Sequence, residues 1–314
     1  MIHLQSSCSN APSKRAFTLV ELMVVIMILS LLAAIIFVAA GTIGDRARSA
    51  EDSARLRSIA MANMSFAVDN DNRLMCPRTQ PNEGAPDDPE NPSTTPEQLR
   101  RMWIHAFDDN VVEYGGAGGN AQKELDSALE EGAAWEYLGD VNLYKSPFDP
   151  TTRLRSYSLN AFVGVDRCAD EYPALDILSG SYNTRYRVPC PTLGQVPQPS
   201  KTICAIGEID QGFGGFNETP NANGWLVSPN PNMPLWKDTP ALWNGNRVNF
   251  SLMDGSTASP QLLNIEELRN KIAQAGSSHN ILTGNGAQDK VDFNIFSQKM
   301  LPGVLEYRTA ADQE

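Results

Sequence analysis

Side chains that could carry acid–base or nucleophilic chemistry follow no known catalytic spacing in this chain. The three histidines are His3, His105 and His279, and none stands in a His-Glu-x-x-His motif. Gly-x-Ser-x-Gly and Gly-x-x-x-x-Gly-Lys are also missing. The carboxylate pairs Asp87-Asp88 and Asp108-Asp109 are of a kind that usually lies on a solvated surface. The sequence gives no positive sign of catalysis, and we expect a protein that is not an enzyme.

Two carboxylates at the end of a predicted helix are candidate ligands for calcium. Asp69 and Asp71 alternate with asparagines, and calcium-binding loops use acidic oxygens at alternating positions. The glycine and the distant bidentate glutamate of an EF-hand loop are missing, so a simple helix stop is the favoured interpretation. No other metal and no cofactor is expected.

Glu21 is the most unusual acidic residue, because it lies within an apolar stretch. Residues 17–40 form a run of 24 residues in which Glu21 is the one charge and neither proline nor glycine occurs. At about 1.5 Å per residue such a helix crosses the roughly 30 Å hydrocarbon core of a bilayer. A carboxylate there is costly unless it has a partner or reaches the interface. A cut before Phe17 would create an α-amine, on this chain or on a neighbour, that could offset this cost.

The charges next to the apolar stretch predict its orientation. Lys14 and Arg15 precede it, whereas the residues after Ala40 carry both signs. Because positively charged flanks stay in the cytoplasm, we expect the N-terminus there and everything after Ala40 to be exported.

The segment KRAFTLVELMVVIMILSLLAAI resembles the prepilin leader shared by type IV pilins and type II secretion pseudopilins. That pattern is a short basic leader, a small residue, an aromatic residue, Thr-Leu-X-Glu and an apolar helix. The resemblance implies cleavage between Ala16 and Phe17 by a cytoplasm-facing prepilin peptidase, and N-methylation of Phe17. It also implies that Glu21 helps to set the register of subunits in a helical filament. The residue before the cut is usually glycine, and here it is Ala16. A plain single-span anchor is the alternative.

A second resemblance, to large bacterial pseudopilin-like proteins, covers three later segments. The first two are Tyr144-Lys145-Ser146-Pro147-Phe148-Asp149, with Ser146 in place of a cysteine, and Ser156-Tyr157-Ser158-Leu159-Asn160. The third ends in Asp254-Gly255 and has Asn244 where the pattern has a histidine. The two substitutions remove a thiol and an imidazole. The favoured interpretation is that these residues shape turns and strand ends.

Hydrophobic periodicity predicts that the first helix continues to about Val68. Four apolar residues recur at helical spacing and form one stripe: Leu56, Ala60, Met64 and Ala67. Charged residues, Asp52 among them, fill the remaining positions.

Further elements follow from turn and capping signals. Helices are predicted from Thr95, with Pro96 and Gln98 completing a capping box, to about Phe107, and at 121–138 and 265–275. Apolar runs from Tyr144 onward predict short strands at LYKSPFDP, RLRSYSLNAFVGV, KTICAIGEID and RVNFSLMDGSTAS. A hairpin is predicted at 253–256 and a final strand at VDFNIF. The aromatic residues Trp225, Trp236 and Trp243 could form a binding face, but ordinary packing of a long loop is favoured.

The cysteines leave their pairing open. Cys8 belongs to the predicted leader, and four others remain: Cys76, Cys168, Cys190 and Cys204. In an exported domain these are disulfide candidates with three connectivities. Cys168 with Cys190 is the first choice on proximity alone, which leaves Cys76 and Cys204 to pair or stay free.

The predicted organisation is an α+β, pilin-like fold. A long N-terminal helix, membrane-spanning in its lower half, packs on an antiparallel sheet with long loops. The predicted boundaries are a leader at 1–16 that is removed, a long helix at 17–72 with its membrane span at 17–40, and an exported domain at 73–314 with a Pro-rich loop at 77–96.

The apolar stretch predicts a single-pass membrane protein, and the resemblance to prepilins implies an inner-membrane subunit of a type II secretion or type IV pilus-like filament. The chain has 314 residues and a net charge of −12, which argues against nucleic acid as a partner. Expected partners are other pilin or pseudopilin subunits, prepilin peptidase, an inner-membrane assembly platform and membrane lipid. The alternative is a membrane-anchored binding or adhesion module that does not polymerise.

Overall fold

The computed structural model describes residues 17–81, 94–116, 119–165, 190–209, 224–227, 234–275, 281–282 and 289–302. The predicted leader, most of the Pro-rich loop and Cys168 lie outside these residues. The chain divides into two compact units, Met1–Ala47 and Arg48–Glu314. Helix α1, Leu19–Asp69, contributes residues to both units.

The first unit contains the apolar beginning of α1. Among the described residues, one stretch, Leu19–Ile36, is long and apolar enough to cross a membrane, and none of it is buried. Exposed apolar side chains follow one another along this stretch, from Leu19 at 74% to Ile36 at 65% exposed. They therefore surround the helix on all sides, which is typical of a helix that lies in lipid or among other helices.

In the second unit, one face of α1 packs into the domain core. Its buried positions follow helical spacing: Asp52, Leu56, Ile59, Ala60, Ala62, Asn63, Phe66 and Ala67. The predicted stripe is correct for Leu56, Ala60 and Ala67, whereas Met64 is half-buried. Asp52 was expected on the charged face, but it is buried. Its position four residues before Leu56 continues the stripe, so spacing outweighs residue type here.

Helix α2, Pro96–Arg101, begins as its capping box predicts. The Thr95 hydroxyl accepts a hydrogen bond from the Gln98 amide at 3.2 Å, and the Gln98 side chain accepts one from the Thr95 amide at 2.9 Å. The prediction that the helix reaches about Phe107 is wrong. The chain leaves the helix at Met102, whose side chain is fully buried, and the following residues run through the core.

The predicted helix at 121–138 is wrong in its first part. Strands β1, Val111–Gly116, and β2, Gly119–Glu124, form an antiparallel hairpin in which Val111 lies opposite Glu124. Helical structure follows in two short pieces, α3, Asp126–Glu130, and α4, Trp135–Leu138.

Gly132 lies in the turn between these two helices, where only a residue without a side chain fits against the backbone of Trp103 and Ile104. A Cβ atom on Gly132 would lie 2.3 Å from the carbonyl oxygen of Trp103.

The central sheet of the second unit is antiparallel. The remaining described strands are, in chain order, β3, Tyr157–Leu159; β4, Ile203–Ile209; β5, Leu235–Trp236; β6, Thr239–Pro240; β7, Phe250–Leu252; β8, Thr257–Ala258; and β9, Ile281–Leu282. Neighbouring strands follow the order β3-β4-β7-β8, with β6 also paired to β4, while β5 pairs with β9. The predicted hairpin at 253–256 is confirmed as the β7–β8 connection. The predicted strand at LYKSPFDP is wrong, since Val141–Tyr144 is a turn of 3₁₀ helix.

Two more helices follow the sheet. Helix α5, Ile265–Ala275, is confirmed as predicted. Helix α6, Asp289–Ser297, occupies the segment that was predicted as a final strand. Phe293 and Phe296 are three residues apart and therefore share one face of α6, which places both rings against Trp236 at 5.3 and 5.5 Å between centroids. This shared aromatic contact favours a helix over the alternation of a strand.

The described residues thus have the α+β, pilin-like organisation that the sequence predicts. An N-terminal apolar helix is followed by short helices and an antiparallel sheet.

Replacement of Phe296 tests the packing of α6. Phe296 is fully buried, and its ring lies 5.8 Å from that of Trp225 and 5.9 Å from that of Phe250. We expect Phe296→Ala to lower the free energy of unfolding by about 3–5 kcal/mol, measured by denaturant titration of the full chain in detergent. The control is Val291→Ala on the exposed side of the same helix, where Val291 is 39% exposed. Equal effects of the two variants would contradict this packing.

Candidate functional site

A capping box between Thr18 and Glu21 closes the N-terminal end of α1. The Glu21 carboxylate accepts hydrogen bonds from the Thr18 amide at 2.8 Å and from the Thr18 hydroxyl at 2.9 Å. The Thr18 hydroxyl accepts one from the Glu21 amide at 3.2 Å. Such a box satisfies amide groups that have no partner in the first turn of a helix. Glu21 therefore has partners in its own chain, a role that the sequence analysis missed although the Thr-x-x-Glu spacing signals it.

The predicted cleavage point lies at the edge of the described residues. Phe17 is 80% exposed, and Ala16 lies outside the part of the chain that the structure describes. Cleavage between them and methylation of Phe17 stay predictions.

Comparison with protein families finds a match at this end of the chain. Residues 12–37 match the family model described as the prokaryotic N-terminal methylation motif. The chain carries a prepilin-type processing signal. This signal implies a precursor of the type IV pilin or pseudopilin type, and the exposed apolar helix fits a membrane-anchored pilin-like protein. Comparisons with curated proteins and with solved structures find no match.

The match to the family model ends at residue 37. The second resemblance, which covers the three segments between Tyr144 and Gly255, therefore stays a prediction.

In the second unit of this prepilin-type chain, the buried carboxylate of Asp52 joins α1 to three other segments. Its Oδ1 accepts hydrogen bonds from the Ser146 hydroxyl at 2.5 Å and the Tyr157 hydroxyl at 2.7 Å. Its Oδ2 accepts a hydrogen bond from the side-chain amide of Asn249 at 2.7 Å. Burial raises the pKa of Tyr157 well above its usual value, and the charge of Asp52 raises it further, so this phenol remains a donor. Nothing in the sequence analysis assigned a role to Asp52.

Two buried ion pairs involve residues that lie between Ser146 and Tyr157 in the sequence. Arg153 contacts Asp149 at 2.7 Å, and Arg155 contacts Glu124 at 2.8 Å, with all four side chains at most 2% exposed. Burial raises the pKa of Asp149, but the Arg153 guanidinium and hydrogen bonds from the Ser156 and Thr151 hydroxyls outweigh it. The pKa of Asp149 therefore lies below its usual value, and the group is a structural carboxylate that stays ionised.

The other residues of the second resemblance shape turns and strand ends, in line with the favoured interpretation. The Asn160 side-chain amide donates to the carbonyl oxygens of Ile203 at 2.9 Å and Met300 at 2.6 Å. The Asp254 carboxylate accepts hydrogen bonds from the Ser256 amide and hydroxyl within the β7–β8 turn. Asn244, at the position of the pattern's histidine, donates to the Ser49 hydroxyl at 3.0 Å.

The described cysteines are buried thiols. Burial raises the pKa of Cys190 to about 11 and that of Cys204 to about 12, which makes both poor nucleophiles. Cys76 is buried as well. Since Cys168 lies outside the described residues, the pairing of Cys168 with Cys190 stays a prediction.

The candidate calcium ligands lie where α1 ends. The helix stops at Asp69, and Asp71 takes the left-handed conformation with φ at 52°. The Asp69 carboxylate accepts a hydrogen bond from the Tyr137 hydroxyl at 2.9 Å. Within the described ranges, no group of three or more His, Cys, Asp or Glu side chains is placed to hold a metal ion. The helix stop is therefore observed, while calcium binding stays a prediction.

The other residues singled out from the sequence have structural surroundings. The His105 ring lies with Nε2 3.0 Å from the carbonyl oxygen of Leu99, and His3 and His279 lie outside the described residues. Trp225 and Trp236 are buried in the core, which confirms packing for these two. Trp243 is half-buried, with the Arg153 guanidinium 5.0 Å from its ring centroid.

The lowered pKa of Asp149 predicts that the stability of the fold decreases in acid. Because its pKa is lowered in the folded state, its stabilisation is present above the usual carboxyl pKa and is lost as pH falls through the lowered value. We expect Asp149→Asn to lower the free energy of unfolding at pH 7 by about 3–5 kcal/mol, because Arg153 is left buried without its charge partner. The variant should also show a shallower loss of stability between about pH 5 and pH 2.

Denaturant titrations across this pH range measure both effects. The control, Asp109→Asn at an exposed position, should change the free energy of unfolding by less than about 0.5 kcal/mol. An acid limb that is identical in the Asp149→Asn variant and the parent chain would contradict the role of Asp149.

Proposed function

We propose that the protein is a structural subunit of a type II secretion or type IV pilus-like filament. Prepilin peptidase cuts between Ala16 and Phe17, Phe17 is N-methylated, and α1 carries the subunit from the inner membrane into the filament. The observation that carries this proposal is the exposed apolar surface of Leu19–Ile36, which lies within the match to a prepilin-type signal at residues 12–37. Such a surface needs lipid before assembly and neighbouring helices after it.

The proposed orientation follows from charge. Lys14 and Arg15 lie on the cytoplasmic side, and the second unit is exported. The partners are other pilin or pseudopilin subunits, prepilin peptidase, an inner-membrane assembly platform and membrane lipid. With a net charge of −12, nucleic acid is not among them.

Glu21 has two roles in this proposal. In the membrane-bound monomer its carboxylate accepts the two hydrogen bonds from Thr18. In the filament it pairs with the positively charged α-amine of Phe17 on a neighbouring subunit. A pair of opposite charges in surroundings of low dielectric constant attracts more strongly than a neutral hydrogen bond does.

Mass spectrometry of the mature protein tests the processing step. We expect the mature chain to begin at a methylated Phe17, because the cut removes residues 1–16. An Ala16→Leu control should retain the leader, since a bulky residue replaces the small residue before the cut. A mature protein that keeps its first sixteen residues would leave only a tethered domain outside the membrane.

Two substitutions separate the charge of Glu21 from its capping role. Glutamine can still complete a capping box but carries no charge, so Glu21→Gln should be cleaved normally yet be at least tenfold depleted from sheared filaments. Thr18→Ala removes the two hydroxyl contacts of the cap and keeps the carboxylate, so it should assemble at close to the parent level. The measurement is the amount of each variant in filament and membrane fractions of cells.

Normal assembly of Glu21→Gln would remove the charge-pairing mechanism. Recovery of the parent chain as membrane-bound monomer beside intact filaments would instead favour a binding or adhesion module.

A further inference from the structure

The three segments of the second resemblance meet on one face of α1. Ser146 of the first segment and Tyr157 of the second donate hydrogen bonds to Asp52. In the third segment, Asn244 donates to the Ser49 hydroxyl. We name these three segments, 144–149, 156–160 and 244–255, the α1 cradle.

The end of the third segment also lies against α1. Gly255 takes a φ of +82°, and a Cβ atom there would lie 2.9 Å from the sulfur of Met61. The tip of the β7–β8 turn therefore lies against the Met61 side chain of α1. The cradle thus contacts α1 from Ser49 to Met61, over about three turns.

Apolar contacts favour one position of α1 along this cradle only in part. A slide by three or four residues would bring at least one polar side chain to the places of Leu56, Ile59 and Ala60, but would return apolar side chains to the rest. Two other polar side chains of α1 add contacts: Asn63 accepts a hydrogen bond from the Met75 amide at 2.9 Å, and Arg55 donates to the carbonyl oxygens of Asn142 and Lys145 at 2.6 and 2.5 Å.

The donors around Asp52 discriminate between such positions. A slide by three or four residues would bring Arg48, Ser49, Arg55 or Leu56 to the place of Asp52. Arginine offers donors and no acceptor, leucine offers neither, and one serine hydroxyl cannot accept from three donors. Each buried donor left without an acceptor lowers the population of the shifted state roughly tenfold.

We infer that Asp52 is the register lock of the α1 cradle: its carboxylate allows the helix to dock on the second unit in one axial position. The residues at the two substituted motif positions, Ser146 and Asn244, serve this docking as neutral hydrogen-bond donors to α1. The inference concerns folding of the second unit and does not depend on filament assembly.

Hydrogen exchange of the full chain in detergent gives the first test. Asp52→Asn keeps the side-chain size but turns an NH₂ group towards donors. We expect amide exchange in residues 48–69 to become at least tenfold faster. The matched control is Glu51→Gln, which removes the same charge one residue away from a side chain that is 51% exposed, and it should leave exchange unchanged. Equal exchange in the two variants would overturn the inference.

Crosslinking between α1 and the third cradle segment measures the axial position of the helix directly. Ser49→Cys and Asn244→Cys replace residues whose side chains lie 3.0 Å apart, and a short bismaleimide should link the two new thiols. Mass spectrometry maps the linked sites. In the background of Asp52→Leu, Ser146→Ala and Tyr157→Phe, both the acceptor and two donors are gone. We expect the link from position 244 to split between cysteines placed at 49 and at 53. A single link to 49 in that background would show that apolar packing sets the register and would overturn the inference. If that background does not fold, the exchange rates of Asp52→Asn and Glu51→Gln decide.

Discussion

The surroundings that α1 requires differ between its two parts: the first part is exposed on every side, and the second part buries one face. Between Leu19 and Ile36 apolar side chains are exposed on every side, which only lipid or packed helices can stabilise. From Asp52 to Ala67 a single face is buried, and it contains an acid and an amide among its apolar residues. The short strands, the hairpins and the cradle segments supply that face with both apolar surface and hydrogen-bond donors.

Elements that depend on local signals could be predicted from the sequence. The Thr95–Gln98 capping box, the β7–β8 hairpin and helix α5 all follow from residues close together in the chain. Elements decided by distant contacts could not. The predicted strand at VDFNIF is helix α6 because Trp236, far away in sequence, receives two rings from one helix face. The hairpin of β1 and β2 replaces predicted helix in the same way, since Glu124 is held by Arg155 in the interior.

In the candidate site, too, local signals could be predicted from the sequence and distant contacts could not. The apolar stretch and the Thr-Leu-X-Glu spacing identify the processing signal without any structure. The buried role of Asp52 could not be predicted, because a charged residue on a helix is normally assigned to the solvated face. Its hydrogen-bond donors also come from three segments remote in sequence. A satisfied polar cluster of this kind becomes readable only once the topology has brought its members together. In this cluster Ser146 and Asn244 donate hydrogen bonds to α1 through a hydroxyl and an amide. Neither group changes its charge with pH, whereas a thiol or an imidazole at these positions could.

In the filament proposed above, the cap at the start of α1 would weaken the net attraction between Glu21 of one subunit and the α-amine of another. A carboxylate already held by Thr18 loses those bonds, at least in part, when an amine from elsewhere approaches it. The net gain from each newcomer is then a difference between two occupied states, smaller than the attraction of a bare acid for a cation. In that proposed filament, this smaller gain would allow a polymer built through Glu21 to return its subunits to the membrane.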